Sequence, residues 1–262
     1  MSRITQKFEQ LRKEKRKGFI PFVTAGDPDL NVSYDIVMKL AELDATVIEL
    51  GVPFSDPMAD GPVIQMSSQR ALNNGVNLSQ ILEMVGSVRT KTDVPIVLFS
   101  YLNPLLRFGL EKLGKEVARV GLDGILVTDV IDNEAQKISD MLKVNGIDLI
   151  SLIAPTSTDA RIEKITSVSS GFIYAVSRAG VTGTQNDLSS SAENLVARAR
   201  QFTDLPIAVG FGISTVEQVK EVWKFADAAV VGSAIVAEIE RSAKTGDVVE
   251  NVASFVRSIM PL

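Results

Sequence analysis

The chain has 262 residues, 45% of them apolar, enough for one large domain with a substantial core, and no apolar run approaches a membrane span. Its net charge of -5 argues against a nucleic-acid binder, and the opening Met1-Ser-Arg-Ile-Thr-Gln-Lys-Phe8 is unlike a secretory signal, so a cytoplasmic protein is expected. Without cysteine or histidine, disulfides, thiol nucleophiles and thiolate metal sites are excluded, and acid–base work must fall to Asp, Glu, Lys or Tyr.

The basic run at 11–17 reads as the solvated side of an opening helix whose buried stripe is Ile4, Phe8 and Leu11. Eight short apolar segments follow, at 18–23, 46–50, 95–99, 124–128, 148–153, 171–176, 206–209 and 228–231. Each is bounded by Gly, Pro or Asp and is nearly continuous in hydrophobicity, as strands buried on both faces are. Helical spacing of apolar residues separates them, at 36–43, 113–120, 135–144 and 216–222. Residues 61–92 form the one generous insertion, a long loop with two helices divided near Gly75-Val-Asn77. The pattern predicts an α/β fold, a (β/α)8 TIM barrel. It is expected to be a single domain over 1–262, with an extra N-terminal helix and an insertion after the second strand. An open doubly wound sheet is the alternative, but Thr24-Ala-Gly-Asp27 stands where a glycine-rich dinucleotide turn is needed.

Barrel enzymes place their chemistry at the C-terminal ends of the strands. There the second segment carries Glu49, a carboxylate inside an apolar run, and its loop carries Asp56 and Asp60. Facing carboxylates can divide acid and base roles if their surroundings separate their pKa values, whereas a buried ion pair is the plain alternative for Glu49 alone. Glycines follow the sixth, seventh and eighth strands: Gly180 and Gly183, Gly210 and Gly212, and Gly232 with Ser233. Their backbone N–H groups, with a helix starting after Gly232, fit a phosphate nest. Phe22, Phe99, Tyr101, Tyr174 and Phe211 can line a flat apolar pocket beside it. No strand carries a lysine for a Schiff base, and histidine ligands for metal-assisted aldol cleavage are missing, so carboxylate chemistry on a phosphorylated substrate remains.

Three motifs, Phe19-Ile-Pro-Phe-Val-Thr-Ala-Gly-Asp-Pro28, residues 47–65 and Ile173-Tyr-Ala-Val-Ser-Arg-Ala-Gly-Val-Thr-Gly183, resemble the tryptophan synthase alpha subunit. Val209-Gly-Phe-Gly-Ile-Ser214 and Val231-Gly-Ser-Ala-Ile-Val236 do so as well, and the likeness covers essentially the whole chain. The resemblance implies retro-aldol cleavage of indole-3-glycerol phosphate to indole and glyceraldehyde 3-phosphate, with no cofactor in this chain. It implies a partner, the pyridoxal-phosphate-dependent beta subunit of an alpha2-beta2 tetramer, which receives the indole. By matching motif, Glu49 moves protons, Asp60 holds the indole N–H, and Tyr174 assists. Phe22, Thr24, Phe99, Asp129 and Phe211 line the indole region, while Gly183, Gly212, Gly232 and Ser233 hold the phosphate. Thr182 meets Asp60 when its loop closes, and Asp56 and Asn103 face the beta subunit. One departure is Ile131, where the family usually has proline on its inter-subunit face. A free-standing lyase that releases indole, and a weakly active regulatory subunit, are the alternatives.

Overall fold

The computed structural model describes residues 1–130, 132–176, 185–210 and 212–261, and strand alternates with helix throughout. The chain opens with α1 (Arg3–Glu14), β1 (Gly18–Thr24), α2 (Leu30–Glu42), β2 (Ile48–Gly51), α3 (Pro62–Asn73) and α4 (Leu78–Arg89). Next come β3 (Ile96–Ser100), α5 (Leu102–Phe108), α6 (Leu110–Val120), β4 (Gly124–Val127), α7 (Asp132–Val144), β5 (Asp148–Ile153) and α8 (Asp159–Val168). It closes with β6 (Ile173–Val176), α9 (Gln185–Ala199), β7 (Ile207–Gly210), α10 (Val216–Trp223), β8 (Ala228–Val231), α11 (Ser233–Ala243) and α12 (Val248–Ile259).

The strands pair in parallel and in sequence order, and β8 closes on β1, giving the (β/α)8 barrel that the pattern predicts. The insertion after β2 is the helix pair α3 and α4, separated at Gly75, whose φ is +73°, and at Asn77, which closes a capping box with Gln80. Two further helix pairs were not separable from the pattern. Gly109 (φ +94°) divides α5 from α6, and Gly246 (φ +127°) lies between α11 and α12. A seven-residue helix such as α5 is too short to show a period against its neighbour. The second strand also begins later than its apolar run. The Thr46 hydroxyl accepts the Phe19 amide at 3.0 Å and so ties the run to β1 before the ladder with β3 begins.

There are two apolar layers. The larger lies between the barrel wall and the helices and holds residues such as Ile48, Leu50, Leu98 and Ile125. The smaller fills the barrel itself, with Ile20, Val47, Val97, Leu126, Ile150, Phe172, Ala208 and Ala228 pointing inward. Alternate strand residues thus belong to different cores, which is why the strands read as continuous hydrophobic runs. Helix α1 closes the lower end. Ser2 caps it by accepting the Thr5 amide at 3.2 Å, and Ile4, Phe8 and Leu11 form the buried stripe that packs into the inner layer. Gly124 makes room for this plug, because a Cβ there would press against Ile150 and stand 3.2 Å from Ile4. With the lower end of the barrel filled by α1, the cavity that Glu49 lines lies at the upper end.

Candidate active site

Inward positions of each strand recur every second residue, so Val47 and Glu49 both face the barrel interior. Val47 belongs to the packed inner layer, and Glu49 stands one layer higher, between Phe22 of β1 and Val97 of β3 in the ladder. Glu49 is 1% exposed, and its Oε1 has no hydrogen-bond partner among the described residues. Desolvation with no compensating donor pushes its carboxyl up to about 8. The ion pair that was the plain alternative for this residue does not form among the described residues.

The carboxylate opens into a cavity of about 580 Å³, counting its open mouth, lined by Phe22, Glu49, Asp60, Gly61, Ile64, Phe99, Tyr174, Gly212, Val230, Gly232 and Ser233. A larger depression, of about 1320 Å³, lies among β4, β5, α7 and α8, but its lining includes no carboxylate side chain. Asp60 reaches the cavity from the loop ahead of α3. Its amide bonds to Pro57 O at 3.0 Å, and its carbonyl accepts from Gln65 Nε2 at 2.8 Å. Burial pushes the Asp60 carboxyl up to about 6, against the pull of the Tyr101 hydroxyl, which favours the ionised form. The two acids therefore differ in proton affinity, with Glu49 the weaker acid.

Tyr174 stands beside Glu49, and burial together with the Glu49 charge holds its phenol well above the usual range, so it remains a proton donor. Gly210 leaves the space that this phenol occupies, because any Cβ there would collide with the ring and its hydroxyl. Gly210, grouped with Gly212 on sequence as a phosphate glycine, thus makes room for Tyr174. Phe22 and Phe99 meet edge to face, with centroids 5.3 Å apart at 80°, and both line the cavity. Beside Phe22, Gly232 caps α11 with no side-chain hydrogen bond, and the first turn of that helix carries no acid. Gly61 opens α3 in the same uncapped way, with Pro62 inside the first turn. Two helix N-termini therefore meet the cavity with their amides free of side-chain caps, an arrangement suited to anions.

Not every expected residue lies here. Thr24 is buried, and its hydroxyl pairs with Ser67 of α3 at 2.6 Å, so it braces α3 instead of lining the cavity. Asp129 is also outside the cavity wall. Its carboxylate accepts the Leu102 amide at 2.7 Å, because the start of α5 offers a donor that no residue of its own segment satisfies. Asp129 instead joins Asp56 and Asn103 in a neighbouring cleft with Phe54, Met58, Tyr101 and Leu106. Thr182, Gly183, Phe211 and Ile131, along with Arg178 and Gly180, lie outside the described residues. Ile64 and Val230 line the cavity without having been singled out. Val230 was within reach of the sequence, two residues beyond the inward Ala228, whereas Ile64 depends on how α3 is placed.

The family model described as Tryptophan synthase alpha chain matches residues 8–260. The Tryptophan synthase alpha chain of Thermoanaerobacter sp. (strain X514) is 45% identical over 259 residues, covering 99% of this chain and 98% of that protein. That of Solibacter usitatus is 46% identical over 259 residues, covering 99% of this chain and 97% of that protein. The crystal structure of tryptophan synthase subunit alpha from Legionella pneumophila superposes with a TM-score of 0.92 at 31% identity, over 99% of this chain and 97% of that one. With a matching barrel, a matching family model and full-length relatives, the chain belongs to the tryptophan synthase alpha chain family.

Proposed function

We propose that Glu49 and Asp60 divide the proton and charge work of the family's reaction, the retro-aldol cleavage of indole-3-glycerol phosphate to indole and D-glyceraldehyde 3-phosphate. The chain is a carbon–carbon lyase of tryptophan biosynthesis. The observation that carries the assignment is Glu49, a carboxyl 1% exposed with an unpartnered oxygen at the cavity floor. A fold has no use for such a group, and a proton shuttle needs one.

With its carboxyl near 8, Glu49 is mostly protonated at neutral pH and starts as the acid. It donates its proton to the indole carbon that bears the side chain, and the ring nitrogen gains positive charge. Asp60, ionised above about 6, holds the N–H and stabilises that charge. The Glu49 carboxylate then takes the proton of the side-chain hydroxyl next to the ring. The carbon–carbon bond breaks, its electrons return to the ring, and indole and the aldehyde part with Glu49 protonated again. Tyr174 donates beside it, and the Phe22–Phe99 wall stacks the indole, with Phe211 assigned to the same region. Gly212, Gly232 and Ser233, with Gly183, take the phosphate on backbone amides. Thr182 closes over the substrate and bonds Asp60.

The partner is the beta subunit, in an alpha2-beta2 tetramer, and it carries the pyridoxal phosphate. The cleft that gathers Asp56, Asn103, the exposed Met58 and Leu106 is the face offered to it. Turnover of the purified chain with and without a beta subunit tests the whole reading. Cleavage that rises with beta subunit and is lost in Glu49→Gln is expected. Full cleavage with no response to beta subunit supports the free-standing lyase, and no cleavage in either case sinks both.

A further inference from the structure

Tyr101 stands between the catalytic cavity and the neighbouring cleft, and it is 5% exposed. Its ring packs on Phe54, with centroids 5.1 Å apart at 35°, so the hydroxyl is carried on a fixed stem. That hydroxyl accepts the Ala59 amide at 2.9 Å, immediately before Asp60 in the chain. The phenol thus fixes the backbone from which the Asp60 side chain projects. The backbone that carries Tyr101 is itself secured where Asp129 accepts the next amide, that of Leu102. Strand ends β3 and β4 thus grip the loop of β2 through one phenol.

We infer that Tyr101 is a positioning residue for Asp60, holding the loop at Ala59 and aiming the Asp60 carboxylate at the indole N–H. This rests on the role proposed for Asp60. Gln65 holds the Asp60 carbonyl on the other side, so the backbone is pinned on both sides of the Asp60 side chain. The arrangement suits a group that must stabilise charge only as it develops, because a donor already in place costs no reorganisation during the reaction.

The groups that face Asp60 are Glu49 from β2, Tyr101 from the end of β3 and Tyr174 from β6, with Asp129 beyond Tyr101 and Asp56 on its own loop. No lysine or arginine lines the cavity among the described residues. The Tyr101 hydroxyl lowers the Asp60 carboxyl against the rise from burial, so its loss shifts Asp60 toward the protonated form.

The test is Tyr101→Phe in the full chain, which keeps the ring and its packing on Phe54. The measurements are kcat and KM for indole-3-glycerol phosphate across the pH range, in the wild-type and Asp60→Asn backgrounds, with circular dichroism to confirm the fold. In the wild-type background kcat should fall roughly tenfold or more, the scale of a hydrogen bond to a charged group. KM should change little, and the acid limb of the pH profile should move to higher pH. In the Asp60→Asn background the same change should cost little further, because its target is gone. Normal pH dependence and kcat in Tyr101→Phe, with Asp60→Asn impaired, overturn the inference and leave the reaction assignment standing. Full multiplication of the two losses also overturns it, because Tyr101 is then acting on the fold and not through Asp60. An active Asp60→Asn removes the role of Asp60 itself, and the inference falls with it.

Discussion

The two ends of the barrel each bury carboxylates and treat them in opposite ways. At the lower end Asp123 accepts the first amide of β3, Ile96 N, at 2.9 Å, and is gripped by Arg89 at 2.7 Å and Arg3 at 3.0 Å. Asp227 repeats the device, accepting Ile207 N of β7 at 2.8 Å and pairing with Arg200. At the upper end Glu49 is buried as deeply as Asp123 and has an oxygen with no partner among the described residues. Burial raises the Asp123 carboxyl and lowers the Arg89 guanidinium, so even here desolvation outweighs the attraction. The partnered acids are joints between strands, and the unpartnered one is the group we propose for proton transfer. Environment, more than residue type, separates scaffold from site.

Glu49→Gln gives the sharpest break in the comparison. It should lower kcat by roughly 10²–10⁴-fold, the range of general acid–base catalysis, while substrate binding persists. Near-full turnover in steady-state assays would remove the central assignment. Asp123→Ala should do the reverse. Leaving Arg89 buried without its acid should cost roughly 3 kcal/mol in denaturant unfolding, with kcat per folded molecule unchanged.

Space sharpens the same contrast. A Cβ on Gly232 has its nearest contacts with Phe22, from 3.4 Å, an ordinary packing distance, so Gly232→Val should cost far less stability than the same change at Gly124. Its side chain should enter the phosphate nest and raise KM on the order of tenfold, as expected for losing hydrogen bonds to a charged group. An unchanged KM would clear Gly232 of that role. Gly124→Val at the lower end should overpack the plug by about 1–3 kcal/mol and leave KM alone.

The smallest effects are in pH dependence. The kcat/KM profile should be bell-shaped, rising as Asp60 ionises near 6 and falling as Glu49 loses its proton near 8. A flat profile across that interval would contradict the division of roles. Because the folded Glu49 carboxyl lies above its ordinary 4.5, the stability it leaves intact at low pH is lost as pH rises through about 8. Thermal unfolding of Glu49→Gln should therefore match the wild type below about 4.5, gain on it up to about 8, and keep a constant lead above that.

Much of this was legible in the residues. The eight strands announced themselves because strands buried on both faces are apolar throughout, and an acid inside one of them, Glu49, stands out for the same reason. Asp60 followed from its loop, and Gly232 from the helix that opens after it. Tyr101 was read as a pocket aromatic, because its contact with Ala59 joins segments about forty positions apart that carry no joint pattern. Asp129 and Thr24, expected in the indole region, each bond a partner on another element, Leu102 or Ser67, which no local pattern shows.

The sequence by itself determined the barrel, its extra N-terminal helix, the carboxylate chemistry and the family. Those properties rest on hydrophobic period, on which residue types are present, and on local motifs. Only the tertiary structure decided that Glu49 has an oxygen without a partner among the described residues where Asp123 has three partners, that Gly210 serves Tyr174, and that Tyr101 holds the loop at Ala59. Proton affinity and orientation depend on which distant groups arrive within hydrogen-bond reach and on how much water they displace. Closing eight strands into a ring is what brings them there.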